Sequence, residues 1–356
     1  MNSTLVGLGF SEKYFLFLQQ QFPDFVSTNL ARVASVHRTR TDVLTLDGVC
    51  TGLLSGRLIH EGVQLCVGDW VRYEELGDKQ VYVQDVLPRI SFLSRSFSAK
   101  DFSFTKGLER QGIVANVDCI YVVLAADDDF SVRRLERYLV CCQNSGSRVA
   151  VILNKIDKPE QIAPFVDLIK QLSADLEIFC VSALHNIGID DFKNQLSGTV
   201  AFIGSSGVGK SSIINAVLGF ERQKTGEIRL GDEKGKHITT SRDLIVTEHC
   251  IIIDNPGLRE IQVWAEEEDL AEVFKDIEAA ALRCVYRNCL HVNEIGCAVL
   301  EAVATGKISK ERLANFKAIG AEVKRVQDFQ SRDSIRKTER TRKTRIQHHL
   351  AMKGKR

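Results

Sequence analysis

The residues of this sequence best suited to chemistry form a glycine-rich run. Residues 204–211 read GSSGVGKS, the pattern G-x-x-x-x-G-K-[ST] of a phosphate-binding loop, between the apolar segment TVAFI and the helix-like SSIINAVLGF. In such a loop backbone N–H groups surround the phosphates, the lysine reaches the β- and γ-phosphates, and the hydroxyl group ligates Mg²⁺. Lys210 and Ser211 would have the last two roles. The predicted phosphate-binding residues are Gly204, Ser205, Ser206, Gly207, Val208, Gly209, Lys210, Ser211 and Ser212.

A second motif could select the base of a nucleotide. Residues 154–157 read NKID, and S-A-L follows the apolar run EIFCV some 25 residues later. The Asp157 carboxylate can accept hydrogen bonds from the N1–H and the exocyclic amine of guanine, donors that adenine does not match. The Lys155 stem would cover the base plane, and the S-A-L segment would give a backbone N–H to the guanine carbonyl. We therefore predict GTP over ATP, bound by Asn154, Lys155, Ile156, Asp157, Ser182 and Ala183.

Binding of Mg²⁺ and recognition of the γ-phosphate require further groups. The segment DNPG after the apolar run HCIIID places Asp254 to hold Mg²⁺ and the Gly257 N–H to sense the γ-phosphate. A threonine must complete the Mg²⁺ shell when the γ-phosphate is present. Both Thr239 and Thr240, in the segment GKHITT, can do so, and the sequence leaves the choice open, with Thr239 taken as the first candidate.

The group that orients the attacking water is unusual. Ordinary GTPases use a glutamine just after D-x-x-G, but this chain has Leu258, which cannot form hydrogen bonds through its side chain. His237 is the candidate replacement, because a near-neutral imidazole can position or activate water. The alternative is a solvent-exposed histidine with no catalytic role.

The order of the two nucleotide motifs is reversed. Asn154 comes about fifty residues before Gly204, whereas the phosphate loop comes first in ordinary GTPases. Between Gly112 and about Glu260, continuous apolar runs alternate with amphipathic stretches, as in the buried strands and crossover helices of a doubly wound α/β sheet. Each motif follows one of those runs, where such sheets bind ligands. We therefore predict a circularly permuted P-loop GTPase domain over residues 106–262.

The segments on either side have different patterns. Residues 1–30 are expected to form a short helical lead-in. Residues 31–98 contain short alternating strands separated by glycines, which predicts a five-stranded OB-like β-barrel, either a binding module or a scaffold. Residues 263–356 follow the GTPase domain and include a compact set of cysteines.

That set has the spacing C-x4-C-x-H-x5-C. Three thiolates and one imidazole within fourteen residues suit one tetrahedral zinc ion with no open position, so the site should be structural. The alternative is a group of free thiols with a bystander histidine, but the polar segments between them offer no core to bury thiols. The predicted ligands are Cys284, Cys289, His291 and Cys297.

The composition indicates the class of protein and its cellular compartment. The chain has 44% hydrophobic and 26% charged residues, without a membrane-length apolar run or a secretory start, which predicts a cytoplasmic protein. The net charge of +1 conceals a basic tail. Residues 331–356 hold ten Lys or Arg against two acidic residues, a local +8, which leaves about −7 (+1 minus +8) for the remainder. The tail is either a solvated segment or an arm for nucleic acid.

The order NKID, SAL, GSSGVGKSS, GKHITT, DNPGL and C-x4-C-x-H-x5-C resembles the ribosome small-subunit-dependent GTPase A family. The resemblance implies an OB domain, a permuted GTPase and a zinc-binding helical domain. It also implies a late role in maturing the small ribosomal subunit, with contacts to ribosomal RNA and release on GTP hydrolysis. We expect a monomer. Ile238 and Asn255 depart from the family's common residues, and the family does not assign a role to the basic tail.

Two alternatives remain at this stage. A permuted GTPase acting on another RNA or on the large subunit would share the motif order but lack the barrel and the cysteine cluster. A non-enzymatic RNA-binding assembly chaperone would have a vestigial nucleotide site, against which the intact Lys210, Ser211, Asp254 and Asp157 argue.

Overall fold

The computed structural model describes residues 3–37, 40–95, 111–157, 162–219, 243–254 and 265–328. They form two compact units: the described residues of 1–94 and 112–261, and the described residues of 95–111 and 262–356. The first unit contains a barrel and an α/β sheet, and the second contains helices and the cysteine cluster. The finer division into three domains remains a prediction, and its barrel-to-sheet boundary lies outside the described residues.

Most strands of the first unit coincide with strand-like runs of the sequence. Its strands and helices are α1 (Ser3–Val6), α2 (Glu12–Gln21), β1 (Leu30–Val36), β2 (Thr41–Thr45), β3 (Gly48–Leu54), α3 (Gly56–His60), β4 (Trp70–Gly77), β5 (Gln80–Val86), β6 (Phe92–Arg95), β7 (Gln111–Ala115), β8 (Cys119–Ala125), α4 (Val132–Cys142), β9 (Arg148–Asn154), α5 (Ala163–Leu172), β10 (Glu177–Cys180), α6 (Ile189–Gln195), β11 (Gly198–Ile203), α7 (Lys210–Leu218), β12 (Asp243–Val246) and β13 (Cys250–Asp254).

Five strands close into a barrel in the order β1-β2-β3-β5-β4. The strands alternate buried and less buried side chains, as in β2, because one face of each strand fills the interior. The pairs are antiparallel except β3 with β5, which run parallel and are separated by α3 and β4. This is the predicted OB-like barrel.

The lead-in residues pack against the barrel. The Ser11 hydroxyl accepts a hydrogen bond from the Tyr14 amide at 3.2 Å and so caps α2. The Phe10 ring meets the Trp70 ring edge-on, with 5.0 Å between centroids, and both side chains are buried. The predicted helical lead-in is therefore packed against the barrel through an aromatic cluster.

A six-stranded sheet follows the barrel, in the order β10-β9-β8-β11-β13-β12, and β6 pairs with β7 in a separate two-stranded sheet. Neighbours from β10 to β13 are parallel, and β12 joins the edge antiparallel to β13. Every residue of β8 is buried, because helices cover both faces of a parallel sheet. The parallel strands direct their carboxyl ends to one edge, where the predicted nucleotide motifs lie.

Arg32 of the barrel joins β1 to the sheet. Its Nη1 donates to the Leu8 carbonyl at 2.8 Å and to the Thr199 Oγ1 at 2.9 Å, and its Nη2 donates to the Asn116 carbonyl at 2.9 Å. The side chain is fully buried, and burial lowers the pKa of Arg32 to about 10. Because its partners belong to three chain segments, Arg32 fixes the barrel against the strand that leads to the phosphate loop.

The second unit is helical. Its helices are α8 (Glu267–Val273), α9 (Lys275–Ala281), α10 (Ala298–Ala304) and a further helix over residues 310–328. The Phe274 ring is buried and lies 5.4 Å from the Phe316 ring, centroid to centroid. Arg312 forms two hydrogen bonds of 2.7 Å with the Asp276 carboxylate. These contacts hold the long helix against α9. Of the helices in the described ranges, none has the length and apolar character needed to cross a bilayer.

Candidate nucleotide and metal sites

The predicted nucleotide residues meet at the carboxyl edge of the sheet. Asn154 ends β9, Ser182 follows β10, Gly204 follows β11, and Asp254 ends β13. Since β11 lies between β8 and β13, the phosphate loop occupies the centre of this edge. Motifs distant in the sequence therefore become neighbours through strand order.

The glycines of the phosphate loop are required by backbone geometry. Gly204, Gly207 and Gly209 have φ values of +150°, +85° and +94°, the left-handed region that L side chains rarely adopt. A Cβ at Gly204 would lie 2.5 Å from the Val123 carbonyl oxygen. The loop therefore turns sharply against β8 and directs the chain into α7, whose amino end can face a phosphate.

The Lys210 side chain closes this loop. Its Nζ donates to the Gly204 carbonyl at 2.9 Å and to the Ser205 carbonyl at 2.7 Å. Burial lowers the pKa of Lys210 to about 8, and the carboxylate of Asp254 opposes that shift. An ammonium group held by loop carbonyls is available to exchange those partners for phosphate oxygens.

The Asn154 side chain connects three motifs. Its Nδ2 donates to the Val208 carbonyl at 2.9 Å, and its Oδ1 accepts from the Ala183 N–H at 3.1 Å. The side chain is buried, so both hydrogen bonds satisfy groups shielded from water. Asn154 thus fixes the positions of the phosphate loop and the S-A-L segment relative to β9.

The Asp157 carboxylate is oriented by the S-A-L segment. The Ser182 hydroxyl donates to Asp157 Oδ1 at 2.5 Å, and the same hydroxyl accepts from the His185 N–H at 3.2 Å. The Asp157 side chain remains 39% exposed. Its oxygens are therefore held in place yet accessible to a base.

A cavity of about 280 Å³ lies beside Asp157. It was not predicted that residues after β8 form one of its walls. No local motif distinguishes them, since the segment AADDDF has the composition of a surface loop. The lining residues are Ala126, Asp127, Asp128, Lys155, Ile156, Asp157, Ile162 and Phe165.

The sequence also did not identify Tyr138, on α4, as a neighbour of the phosphate loop. Its hydroxyl lies 3.4 Å from the Ser205 Oγ, and burial raises the pKa of Tyr138. The helix α4 thus contacts the phosphate loop. An amphipathic pattern predicts which face of α4 is buried but not which side chain that face meets.

Several predicted residues lie outside the described residues. They are His237, Thr239 and Thr240 in the segment after α7, and Gly257 after β13. Their roles therefore stay predictions.

The predicted zinc ligands come together in the second unit. The Cys284 Sγ lies 3.8 Å from the Cys297 Sγ and 3.7 Å from the His291 Nδ1, and His291 Nδ1 lies 3.3 Å from Cys297 Sγ. With Cys289, the four ligand atoms lie within 4.8 Å of one another. The cluster can hold a metal ion.

The spacing of these atoms can be compared with a tetrahedral site. Bonds of about 2.3 Å to sulfur and about 2.0 Å to nitrogen place the ligand atoms of a tetrahedron roughly 3.5–3.8 Å apart. The three distances above lie close to that range. Cys297 also accepts a hydrogen bond from the Leu300 N–H at 3.4 Å at the start of α10. The donor set therefore fits zinc.

Together, the strand order and the convergence of the nucleotide motifs define a circularly permuted GTPase. Residues 86–264 match the family model described as RsgA GTPase. The chain belongs to the RsgA GTPase family, whose members are GTP-hydrolysing enzymes. The resemblance inferred from the motif order is confirmed.

Relatives match over most of the chain. A protein of Methanosarcina acetivorans named small ribosomal subunit biogenesis GTPase RsgA is 41% identical over 307 residues, 85% of this chain and 80% of the relative. A protein of the same name from Leptospira interrogans is 37% identical over 321 residues, 86% of this chain and 85% of the relative. The crystal structure of YjeQ from Thermotoga maritima is 26% identical with a TM-score of 0.58, covering 83% of this chain and 98% of that chain.

Proposed function

We propose that this GTPase binds the small ribosomal subunit, assists its late maturation, and leaves the subunit when GTP is hydrolysed to GDP and phosphate. The carrying observation is that the permuted nucleotide motifs share one edge of the sheet, in a chain whose relatives are named for small-subunit biogenesis. The barrel and the basic tail are candidate contacts to ribosomal RNA. We propose that the protein acts as a monomer in the cytoplasm.

The described residues support particular roles at the nucleotide. Asp157 would pair with guanine, Lys155 would cover the base, and the S-A-L segment, which Asn154 holds in place, would give a backbone N–H to the guanine carbonyl. The phosphate-loop amides would hold the phosphates with Lys210. Strong discrimination against ATP follows, on the order of 10²-fold, because adenine lacks donors for Asp157. Equal affinities by calorimetry would refute this assignment.

Magnesium would be held with GTP by Ser211, Asp254 and one of the two threonines, Thr239 or Thr240. The Asp254 carboxylate is buried at the end of β13 and acts electrostatically on Lys210, so it lies at the phosphate end of the site. When bound there, the ion would neutralise charge on the phosphates. The sequence does not decide which of the two threonines binds the ion, and Thr239 is the first candidate.

Zinc would occupy the cysteine cluster as a structural ion. Three thiols and one imidazole leave no open position, so the ion would stabilise the second unit and take no part in hydrolysis.

The decisive experiment is GTP turnover with and without purified small subunits. Slow intrinsic turnover that rises on addition of small subunits, but not of large subunits, is the expected result. A Lys210→Ala variant measures background hydrolysis. Stimulation by the large subunit alone, or none by either, would contradict the proposed partner while leaving the GTPase assignment intact.

We also propose that His237 orients the attacking water. His237→Ala should then lower subunit-stimulated turnover about 10²-fold with little change in GTP affinity. Wild-type stimulated turnover in this variant would assign water orientation to another group.

A further inference from the structure

The wall of the cavity beside Asp157 contains an ion pair between Lys155 of the NKID motif and Asp127, which belongs to none of the nucleotide motifs. The Lys155 Nζ lies 2.8 Å from the Asp127 Oδ2, and the two side chains are 40% and 36% exposed. Both residues line the same cavity as Asp157. The pair therefore lies where the guanine base is proposed to bind.

Strand register brings the two residues together. Ala125 of β8 lies opposite Asn154 of β9, and the Ala126 N–H donates to the Asn154 carbonyl at 2.8 Å. Asp127 follows Ala126, two residues after the end of β8, and Lys155 directly follows the end of β9. The contact thus follows from the parallel pairing of β8 with β9.

The Asp127 side chain is fixed before any ligand binds. Its Oδ1 accepts from the Asp129 N–H at 3.0 Å, and its carbonyl accepts from the Phe130 N–H at 2.9 Å. Asp129 is held in turn by Arg134 through two hydrogen bonds of 2.8 and 3.2 Å, and Arg134 lies in the first turn of α4. One oxygen of Asp127 maintains the turn, which leaves the other for Lys155.

The Lys155 backbone also shows local constraint. Its φ of +65° is in the left-handed region, which is uncommon for a residue other than glycine. This conformation ends the strand and directs the lysine side chain along the cavity wall. A long lysine chain has many rotamers, so a fixed partner for its ammonium group reduces the freedom that must be lost when a base binds.

We propose that Asp127 is a positioning residue for the guanine base. It holds the Lys155 ammonium group so that the lysine methylene stem stands ready as one wall of the base cavity. This inference rests on the proposed function, in which Lys155 covers the base. Asp127 itself need not touch the nucleotide.

The test is a double-mutant cycle on the full-length protein, measured as dissociation constants for fluorescent GTP and GDP. Asp127→Asn removes the charge but keeps an oxygen that can accept from the Asp129 N–H. Lys155→Met keeps an apolar stem and removes the ammonium group. Asp175→Asn, at an exposed loop carboxylate, controls for the loss of one negative charge. Thermal unfolding of each variant reports the fold.

Asp127→Asn should weaken GTP and GDP equally, by about two- to fivefold, the range of a partly exposed ion pair. The loss should shrink at high salt, because screening weakens that pair. In the Lys155→Met background the same substitution should cause no further loss. Asp175→Asn should bind as the wild type does.

Three results would overturn the inference: unchanged or tighter binding by Asp127→Asn, an equal loss in the Lys155→Met background, or a matching loss by Asp175→Asn. Failure of the proposed base site can be distinguished from failure of the role of Asp127. If neither Lys155→Met nor Asp157→Asn weakens guanine nucleotides, the proposed base site is wrong. If they weaken binding and Asp127→Asn does not, only the role of Asp127 fails.

Discussion

The Asn154 side chain donates to the backbone carbonyl of Val208, with 2.9 Å between Nδ2 and O, and so joins the NKID segment to the phosphate loop. The two residues are 54 positions apart in the sequence. A Cβ at the neighbouring Gly209 would lie 2.1 Å from the same Nδ2. Permutation has thus reversed the order of the motifs along the chain while a direct contact keeps them together.

Loss of this contact should affect both halves of the site. Asn154→Ala leaves the Val208 carbonyl and the Ala183 N–H without their partner, which should lower the free energy of unfolding by about 1–3 kcal/mol. We expect guanine nucleotides to bind about tenfold more weakly as well. Urea unfolding and nucleotide titration measure the two effects. Asn144→Ala, at an exposed asparagine, is the control and should change neither.

Nucleotide binding should take up a proton at alkaline pH. Burial lowers the pKa of Lys210 to about 8, and a bound phosphate would favour its charged form. Above pH 8 the free protein has lost that proton, so binding restores it and affinity falls as pH rises. Calorimetry at pH 8.5 in two buffers of different ionisation enthalpy measures the uptake. In the Lys210→Arg variant the side chain at position 210 stays charged, so it should take up no proton when nucleotide binds. Equal uptake by the variant would assign the proton elsewhere.

Removing a ligand of the metal cluster should act on the second unit alone. Cys284→Ser or Cys297→Ser should lose one equivalent of zinc and lower the thermal stability of that unit, while GTP binding stays largely intact. Metal analysis with a protein assay gives the stoichiometry. Cys50→Ser, at a partly buried barrel cysteine, should keep its zinc. A wild-type protein without zinc would contradict the assignment.

Arg32 should contribute strongly to the stability of the first unit. Arg32→Met leaves the carbonyls of Leu8 and Asn116 and the Thr199 hydroxyl without this donor, at a cost of about 2–4 kcal/mol in unfolding free energy. Arg32→Lys should recover only part of that unfolding free energy, since an ammonium group cannot match the hydrogen bonds of the planar guanidinium group. Arg40→Met, whose side chain is 59% exposed, is the control. A loss below about 0.5 kcal/mol, the usual range of surface substitutions, would show that the buried fork does not stabilise this junction.

Most of the fold could be predicted from the sequence because its signals are local. The glycines of residues 204–209 and the continuous apolar runs each identify one strand or turn. The pair β6 and β7 was not predicted, because strands of four and five residues give little periodicity. The edge strand β12 was missed for the same reason.

The partners of the site residues could be predicted less well. The sequence identified Lys155 but not Asp127, because their contact depends on the register between β8 and β9. Tyr138 belongs to a helix whose buried face was predicted, yet its neighbour Ser205 depends on how α4 crosses the sheet. Such relationships are set by tertiary packing and not by any motif.

The position of β11 between β8 and β13 has a consequence during synthesis. Val200 pairs with Cys119, 81 residues earlier (200 minus 119), and at 5–20 residues per second the ribosome needs roughly 4–16 s to make that stretch. Until β11 is made, the edge of β8 opposite β9 has no partner strand. The base-reading half of the nascent chain must withstand that exposure without help from nucleotide. GTP can act as a folding ligand only after the phosphate loop has left the exit tunnel.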